Sequence, residues 1–321
     1  MLSRLRPRKK VEVPAPTTAN IAGRKLIADD TLARAKRIIK DHASEGATSS
    51  SAFIDGQLDP LAQIDTSKGE ASASAVEVVN CDAFTVARKL IAEEPGAKGK
   101  TTVLNLASDE APAGGWLISL SKTQEEALCY SSTLYSTLKK SYYPWPNVGS
   151  RSIAGVYSPG VVIFKHDLDN NCQELAVNER QVVSVITVAA PRHRPLAENY
   201  LNFKDPSVLE DLKGKIRLVY RIAAHNGQTY LVLGEHVTSL CVWYLNRRSL
   251  GLVGAMGCGA YACPPRLVAE HMRSILLEPE FKGHFARVVF AVYSKAGGSS
   301  DSSPSNFDIF SEVFSNTAIN A

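Results

Sequence analysis

One segment in the first half of the chain constrains both the fold and the chemistry more than any other. Residues 102–106 are apolar and predict a buried strand, and a turn of small residues that contains Gly114 and Gly115 follows. Two adjacent carboxylates, Glu125 and Glu126, then open a predicted helix. Glycine tolerates positive φ and lets the backbone approach a ligand closely. The segment therefore predicts anion-binding backbone amides within a few residues of a candidate proton donor.

The start of this helix also has a purely structural interpretation. Thr123 is a good N-cap, and Glu126 follows three positions later, as in a capping box. The spacing of apolar residues predicts a helix from Gln124 to about Lys140, ending before Pro144. Glu126 is therefore either a chemical group or only the cap of its own helix, and the spacing alone favours the cap.

The order of the predicted elements indicates an α/β fold. Helices are expected at about 30–42, 84–94, 206–226 and 265–277 besides the one at Gln124, and strands at 76–79, 102–106, 156–164, 182–190, 229–233 and 286–293. Residues 43–75 are rich in Ser, Ala and Gly and are expected to be mostly loop. Apolar strands that alternate with helices predict a mostly parallel sheet with helices on both faces.

The composition excludes several classes of protein. With 321 residues, of which 45% are hydrophobic, the chain can bury a full core in one large domain or two small ones. No stretch approaches the roughly 18 apolar residues that a membrane span requires. The net charge of +4 suits an anionic substrate without requiring nucleic acid. We therefore expect no membrane association and no direct DNA binding.

The first ten residues carry a basic run without an acid: Arg4, Arg6, Arg8, Lys9 and Lys10. A disordered, solvated tail is the favoured interpretation of such a run. A nuclear-import patch and the start of a mitochondrial presequence are the alternatives. The sequence therefore leaves the nucleus, the cytoplasm and the mitochondrion open as compartments.

The cysteine pattern indicates a reducing, intracellular compartment. The six cysteines show neither a Cys-x2-Cys pair nor a compact disulfide framework: Cys81, Cys129, Cys172, Cys241, Cys258 and Cys263. Cys258 and Cys263 could be half of a metal site, but no histidine stands nearby at ligand spacing. We therefore predict no metal and no cofactor.

A second glycine-rich turn, residues 254–259, precedes the helix predicted from Pro265. Ligands of α/β proteins bind beyond the carboxyl ends of the strands, where both glycine-rich turns are expected. Two such turns can hold a diphosphate between them through backbone N–H groups. Neither turn matches the P-loop or the dinucleotide-binding pattern, so each is also compatible with a simple tight turn.

The sequence resembles the microbial-type poly(ADP-ribose) glycohydrolases, which are relatives of the macrodomains. Their signature is Gly-Gly-Gly, a spacer of six to eight residues, then Gln-Glu-Glu; here the spacer is 116–123 and Gln124-Glu125-Glu126 follows. Further blocks of similarity occur in the family's order, with the character of the filamentous-fungal branch, at 105–108, 128–135, 142–146, 185–191, 257–261 and 288–293.

The resemblance implies a macrodomain-like three-layer α/β/α sandwich with a mostly parallel mixed sheet and an N-terminal helical extension. We expect a disordered basic tail over 1–23, a single glycohydrolase domain over 24–294, and a linker and tail over 295–321. Within the domain, 24–75 is the N-terminal extension and 235–254 an insertion. The tail contains apolar residues that predict a short helix docking on the body: Phe307, Ile309, Phe310, Val313 and Phe314.

The activity implied by the resemblance is hydrolysis of the ribose–ribose O-glycosidic bonds of poly(ADP-ribose), with release of ADP-ribose. Glu126 would be the general acid and then the general base, and Glu125 would orient the sugar through its ribose hydroxyls. Adjacent helical residues point about 100° apart, so these two acids cannot flank the sugar from opposite faces. The substrate would be poly(ADP-ribose) or an ADP-ribosylated protein, and we expect the enzyme to be a monomer.

The resemblance also assigns substrate-binding residues. Asn105 would contact the distal ribose, Gly114 and Gly115 the diphosphate, and Tyr261 would stack on ribose or base. The remaining amides for the diphosphate would come from Gly257, Cys258 and Gly259. Asn105 could instead satisfy local backbone at the end of a strand, and Tyr261 could be an ordinary core aromatic.

The sequence departs from the family pattern in three places. Ala113 replaces the first glycine, and Cys263 stands where asparagine is frequent. The third departure is the insertion at 235–254, whose in-frame deletion restores the pattern and indicates a retained intron. A genuine lid or partner-binding loop is the other interpretation. Ala113 and the insertion favour an alternative function, a weak or inactive ADP-ribose-binding module. The acid pair, which is intact, opposes the inactive alternative.

Overall fold

The computed structural model describes residues 16–64, 74–236, 262–294 and 304–320. The helices are α1 Ile21–Asp41, α2 Ala83–Glu93, α3 Gln124–Ser131, α4 Pro206–His225, α5 Pro265–Leu276 and α6 Asn306–Phe314. The strands are β1 Ala52–Ile54, β2 Ser74–Ala75, β3 Glu77–Val79, β4 Thr101–Leu106, β5 Gly155–Ile163, β6 Gln181–Val188, β7 Tyr230–His236, β8 Arg287–Tyr293 and β9 Ala318–Ile319.

Seven of these strands form one sheet in the order β1-β5-β6-β4-β7-β8-β3. The pairs β6–β4, β4–β7, β7–β8 and β8–β3 are parallel, whereas β1–β5 and β5–β6 are antiparallel. The predicted mostly parallel mixed sheet is therefore confirmed. Strand β1 lies inside the stretch expected to be loop; its three residues are too few to give a periodic signal.

Alternate residues of the central strands face two separate cores, which makes the fold a three-layer sandwich. In β8, Val288, Phe290 and Val292 belong to the core shared with α4, α5 and α6. Val289 and Ala291 belong to the opposite core, shared with α1, α2 and α3. Burial on both faces explains why these strands are apolar throughout instead of alternating with polar residues.

The N-terminal helix begins nine residues before its predicted start. The Asn20 side chain caps α1 by accepting from the Gly23 N–H at 2.7 Å. Residues 21–23, assigned from the sequence to the basic tail, are therefore helical, while residues 1–15 lie outside the described part of the chain. None of the helices in the described ranges combines the length and hydropathy needed to cross a membrane.

Helix α3 ends at Ser131, so its predicted extension to Lys140 is wrong. The Ser131 carbonyl accepts from the backbone N–H groups of Phe164 and Lys165, each at 3.1 Å. Ser132 then forms an antiparallel bridge with Ile163 at the end of β5. Because the chain bonds to the sheet instead of to its own preceding turn, the apolar residues after position 131 continue in short 3₁₀ turns.

Strand β7 extends beyond the point where the insertion was predicted to begin. Glu235 and His236 continue the parallel pairing with β8, opposite Val292 and Tyr293. The apolar residues 231–233 form the part of this strand that precedes the predicted insertion. Residues 237–254, the rest of the predicted insertion, lie outside the described residues.

The predicted docking of the C-terminal helix is confirmed. Phe310 and Phe314 of α6 are buried, and their rings lie 5.8 and 4.1 Å from the ring of Phe290 in β8. The following strand, β9, pairs with β2 in a separate two-stranded sheet. The C-terminal residues thus cover one face of the main sheet.

Replacement of Phe314 by alanine should therefore destabilise the whole domain. We expect the free energy of unfolding to fall by about 3 kcal/mol, the usual cost of emptying a buried phenylalanine site. Phe307→Ala, at a half-buried position of the same helix, should cost clearly less. Urea denaturation of the two variants measures both values; equal losses would show that α6 is not held by its buried aromatic residues.

Candidate active site

The site lies at the carboxyl ends of β4, β6 and β7, where the side chain of Gln124 separates two strands. Pairing between β4 and β7 stops at Val103 and Val232. Beyond that point Gln124 Nε2 donates to the Leu104 carbonyl and its Oε1 accepts from the Leu106 N–H, both at 2.6 Å. The amide thus takes the place of a strand and holds the first turn of α3 between β4 and β7.

Glycine is required on the β7 side of this opening. A Cβ built on Gly234 would lie 2.8 Å from Gln124 Nε2 and 2.5 Å from Ala83 Cβ at the start of α2. Only a residue without a side chain allows the helix to come this close to the strand. The side chain of Gln124 therefore has a structural role: it bonds to β4 and not within its own helix.

Glu125 is buried and bonded to the segment that follows β4. Its Oε2 accepts from the Ser108 N–H at 2.8 Å, and its Oε1 lies 3.5 Å from Asn105 Nδ2. Asn105 is fully buried and also donates to Thr187 Oγ1 on β6 at 3.1 Å. Asn105 therefore bridges two strands and supports Glu125, while its own Oδ1 has no partner among the described residues.

Glu126 does not cap its helix, so the prediction of a capping box is wrong. Thr123 occupies the N-cap position without a side-chain hydrogen bond. Glu126 Oε1 instead accepts from the Gly115 N–H and from Ser121 Oγ, both at 2.9 Å. Its Oε2 is buried and has no hydrogen-bond partner in the described parts of the chain. The carboxyl group of Glu126 is thus bonded through one oxygen, and its other oxygen is available for proton transfer with a ligand. This arrangement is that of an acid/base group and not of a helix cap.

The surroundings of both carboxyl groups favour the protonated form. Burial raises the pKa of Glu126, because the charged form loses its hydration. Burial also raises the pKa of Glu125, well above its ordinary value, and the negative charge of Glu126 adds to the effect. Both shifts favour the protonated form, which a general acid requires.

The glycine-rich turn that precedes α3 lies against both acids. Ala113 and Gly114 have φ values of +58° and +50°, in the left-handed region. A Cβ on Gly114 would lie 3.1 Å from Glu126 Oε1 and 3.2 Å from Glu125 Oε2. Ala113 thus adopts the left-handed backbone conformation that glycine favours and that costs a residue with a Cβ more.

The rest of the turn is anchored in the body of the protein. Trp116 is fully buried, and its ring lies 5.8 Å from the ring of Tyr130 and 5.2 Å from that of Tyr135. Arg24 of α1 donates from Nε to the Leu120 carbonyl at 2.7 Å. The N-terminal helix therefore helps to fix the segment that contacts Glu126.

The second glycine-rich turn cannot be placed in the same way. Gly257, Cys258, Gly259 and Tyr261 lie outside the described residues, so their assignments stay predictions. Cys263 is described; it is buried, and its Sγ donates to the Pro191 carbonyl just beyond β6 at 3.2 Å. Within the described ranges, no disulfide joins two cysteines, and no cluster of three or more His, Cys, Asp or Glu side chains could hold a metal ion.

Two hydrogen bonds of the acid pair were not predicted from the sequence. Ser121 donates to Glu126, and the Ser108 N–H donates to Glu125. No local pattern identifies either residue, because each acts through a turn whose path is fixed only by tertiary packing. The sequence could have drawn attention to Ser121 only through its position close before the acid pair.

Comparison with known proteins finds similarity to the poly(ADP-ribose) glycohydrolases. The family model for the catalytic domain of microbial-type PARG matches residues 9–166. No curated protein sequence matches the chain.

Solved structures are similar over a larger part of the chain. The poly(ADP-ribose) glycohydrolase from Thermomonospora curvata bound to the inhibitor ADP-HPD is 26% identical, with a TM-score of 0.65, covering 91% of this chain and 99% of that one. The glycohydrolase from Deinococcus radiodurans in complex with ADP-ribose is 29% identical, with a TM-score of 0.54, covering 74% and 83%.

The close approach of Gly114 to both acids gives a test of the site. In Gly114→Ala, the new methyl group would push on the two carboxyl groups, so hydrolysis of poly(ADP-ribose), the activity implied by the resemblance, should fall at least about tenfold. The left-handed backbone adds about 1–2 kcal/mol of destabilisation.

Gly227→Ala is the matched control, because Gly227 has φ +65° and nothing within 4 Å of the added Cβ. It should show a similar loss of stability in urea denaturation and keep its full activity. Full activity in both variants would contradict the contact between the turn and the acids.

Proposed function

We propose that this chain, which belongs to the family of microbial-type poly(ADP-ribose) glycohydrolases, hydrolyses the ribose–ribose O-glycosidic bonds of poly(ADP-ribose) and releases ADP-ribose. The observation that carries the proposal is the state of Glu126: buried, raised in pKa, and bonded through Oε1 alone. The protein is accordingly a glycosidase of the hydrolase class.

Glu126 is assigned as the general acid because its oxygens differ in their surroundings. Oε1 already accepts two hydrogen bonds, so the proton of the neutral carboxyl group resides on Oε2. Oε2 donates this proton to the leaving ribose oxygen as the glycosidic bond breaks. The carboxylate then takes a proton from the attacking water, which restores the starting state of the enzyme.

Glu125 is assigned to orienting the sugar rather than to proton transfer. Its Oε2 is bonded to the Ser108 N–H and its Oε1 faces Asn105, so the carboxyl group is fixed by two groups of the β4 end. From this position it accepts hydrogen bonds from ribose hydroxyls, while Asn105 contributes to the distal ribose. Both acids belong to one helical turn and lie near the same glycine, which supports one acid/base residue instead of two carboxylates on opposite sides of the sugar.

The diphosphate is assigned to the turn at Gly114 and Gly115. In the structure the Gly114 N–H donates to the Ala111 carbonyl at 3.2 Å, and the Gly115 N–H donates to Glu126. The Gly114 amide therefore exchanges its partner when a phosphate group binds, whereas Gly115, whose amide holds Glu126, contributes the close backbone approach that glycine allows. The second set of amides in the proposal comes from Gly257, Cys258 and Gly259, with Tyr261 stacking on ribose or base.

The oligomeric state, the protein substrates and the compartment are proposed from the sequence alone. We propose that the enzyme is of the fungal branch and acts as a monomer on poly(ADP-ribose) or on ADP-ribosylated proteins. It works inside the cell, in the nucleus or cytoplasm, with the mitochondrion as the alternative that the basic N-terminus offers. No contact with DNA or with a membrane is part of the proposal.

The role of Glu126 is tested by Glu126→Gln, which keeps the size of the side chain and removes its proton. We expect kcat on poly(ADP-ribose) to fall by about 10²–10⁴-fold, the usual contribution of a general acid/base. The Kd for ADP-ribose, measured by calorimetry, should stay within about threefold, because binding does not use that proton.

Glu210→Gln is the control for the substitution itself, since Glu210 is exposed on α4 and pairs only with Lys213 in the described structure. It should hydrolyse at the wild-type rate. If Glu126→Gln also hydrolyses at that rate, the acid assignment is wrong. If wild type and variant both bind ADP-ribose and neither turns over, the chain is a binding module.

A further inference from the structure

The hydroxyl group of Ser121 is the only side chain in the described structure that donates to Glu126. Ser121 is half-buried and precedes α3, and its Oγ lies 2.9 Å from Glu126 Oε1. The other donor to the same oxygen is the Gly115 N–H, a backbone group that cannot accept a proton. The two donors converge on Oε1 and leave Oε2 unoccupied among the described residues.

We propose that Ser121 is a positioning residue for hydrolysis, because its hydroxyl group helps to keep the proton of Glu126 on Oε2, facing the bond to be cleaved. The inference rests on the proposed function and deepens it. It adds a side chain to the site that neither the family signature nor the local sequence pattern assigns.

A neutral carboxyl group has one O–H donor, and its other oxygen acts only as an acceptor. When two donors reach Oε1, both lone pairs of that oxygen are engaged, so the proton resides on Oε2. Ser121 acts as one of these donors because its own oxygen accepts from Ser119 Oγ at 3.2 Å. Without Ser121, the Gly115 N–H engages only one lone pair of Oε1, and the proton can reside on either oxygen. Molecules with the proton on Oε1 would present an acceptor instead of an acid to the leaving group.

Ser121 is also held independently of the bond that it makes. The carbonyl of the preceding residue, Leu120, accepts from Arg24 Nε at 2.7 Å, and Leu120 itself has φ +52°. The backbone next to position 121 is thus held by a contact from α1 that does not involve Glu126. Removal of the hydroxyl group should leave the path of the chain unchanged, and it removes the contacts with Glu126 and with Ser119 Oγ.

The contact with Ser121 also determines the direction in which the pKa of Glu126 shifts when the hydroxyl group is removed. The Ser121 hydroxyl stabilises the charged form of Glu126 and so lowers its pKa against the larger, opposite effect of burial. In Ser121→Ala the pKa of Glu126 should rise further, so the loss of activity at high pH should begin at a higher pH. At pH values where the acid is protonated it is misdirected, so kcat should fall.

The test compares Ser121→Ala, Ser121→Thr and the control Ser136→Ala, which changes a half-buried serine in the short turn after α3. For Ser121→Ala we expect kcat on poly(ADP-ribose) to fall about tenfold with KM within twofold, and the basic limb of the pH profile to move up. Ser121→Thr retains the hydroxyl group and should recover most of kcat. Ser136→Ala should match the wild type in every respect.

Two results would overturn the inference. One is a Ser121→Ala variant with wild-type kcat and an unmoved basic limb. The other is an equal loss of kcat in the alanine and threonine variants, which would point to packing instead of the hydroxyl group.

A second readout does not depend on turnover. Titration of the Glu126 carboxyl carbon by ¹³C NMR, assigned by its absence in Glu126→Gln, should give a higher midpoint in Ser121→Ala than in the wild type. If the wild type fails to hydrolyse poly(ADP-ribose) and the midpoint still moves, the proposed function fails while the contact to the acid stands. An unmoved midpoint would refute the inference whatever the activity.

Discussion

The burial of two adjacent carboxyl groups at the start of one short helix is the constraint on which the rest of the site depends. Burying such groups is costly unless they are protonated or receive hydrogen bonds, and this chain uses both means. The Ser108 N–H supports Glu125, and Gly115 with Ser121 supports Glu126. Gln124 holds the same turn in the opening between β4 and β7. The opening in the sheet allows the acids to be buried, and burial raises the pKa of both.

The layer architecture could be predicted from the sequence because its signal is local and repeated. Strands buried on both faces are apolar throughout, and they alternate with helices that carry recognisable caps, such as Asp82 for α2 and Asp205 for α4. The departures occur where partners distant in the sequence decide the outcome. Ser131 and Ser132 leave the helix for β5, a strand that ends about thirty residues later. Strand β1 forms by antiparallel pairing with the edge of β5.

The candidate site, like the fold, could be predicted in part from the sequence. The acid pair and the glycine turn could be found from their order along the chain, and the structure brings Gly114 and Gly115 to Glu125 and Glu126. The capping rule failed at Glu126 because the Gly115 N–H and the Ser121 hydroxyl compete for its carboxylate, and both come from the folded turn. Local sequence rules give the hydrogen-bond partners that are possible for a side chain. Tertiary packing determines which of these partners comes within hydrogen-bond distance.

The measurement that tests this account most directly is a crystal structure of the Glu126→Gln variant with a dimer of ADP-ribose units. We predict that the side chain at position 126 lies within about 3.2 Å of the oxygen that joins the two riboses, with its second terminal atom still in contact with Ser121. The diphosphate should lie against the main chain of Gly114 and Gly115. A dimer bound with its ribose–ribose bond on another surface, or a side chain at 126 directed away from the sugar, would contradict the account.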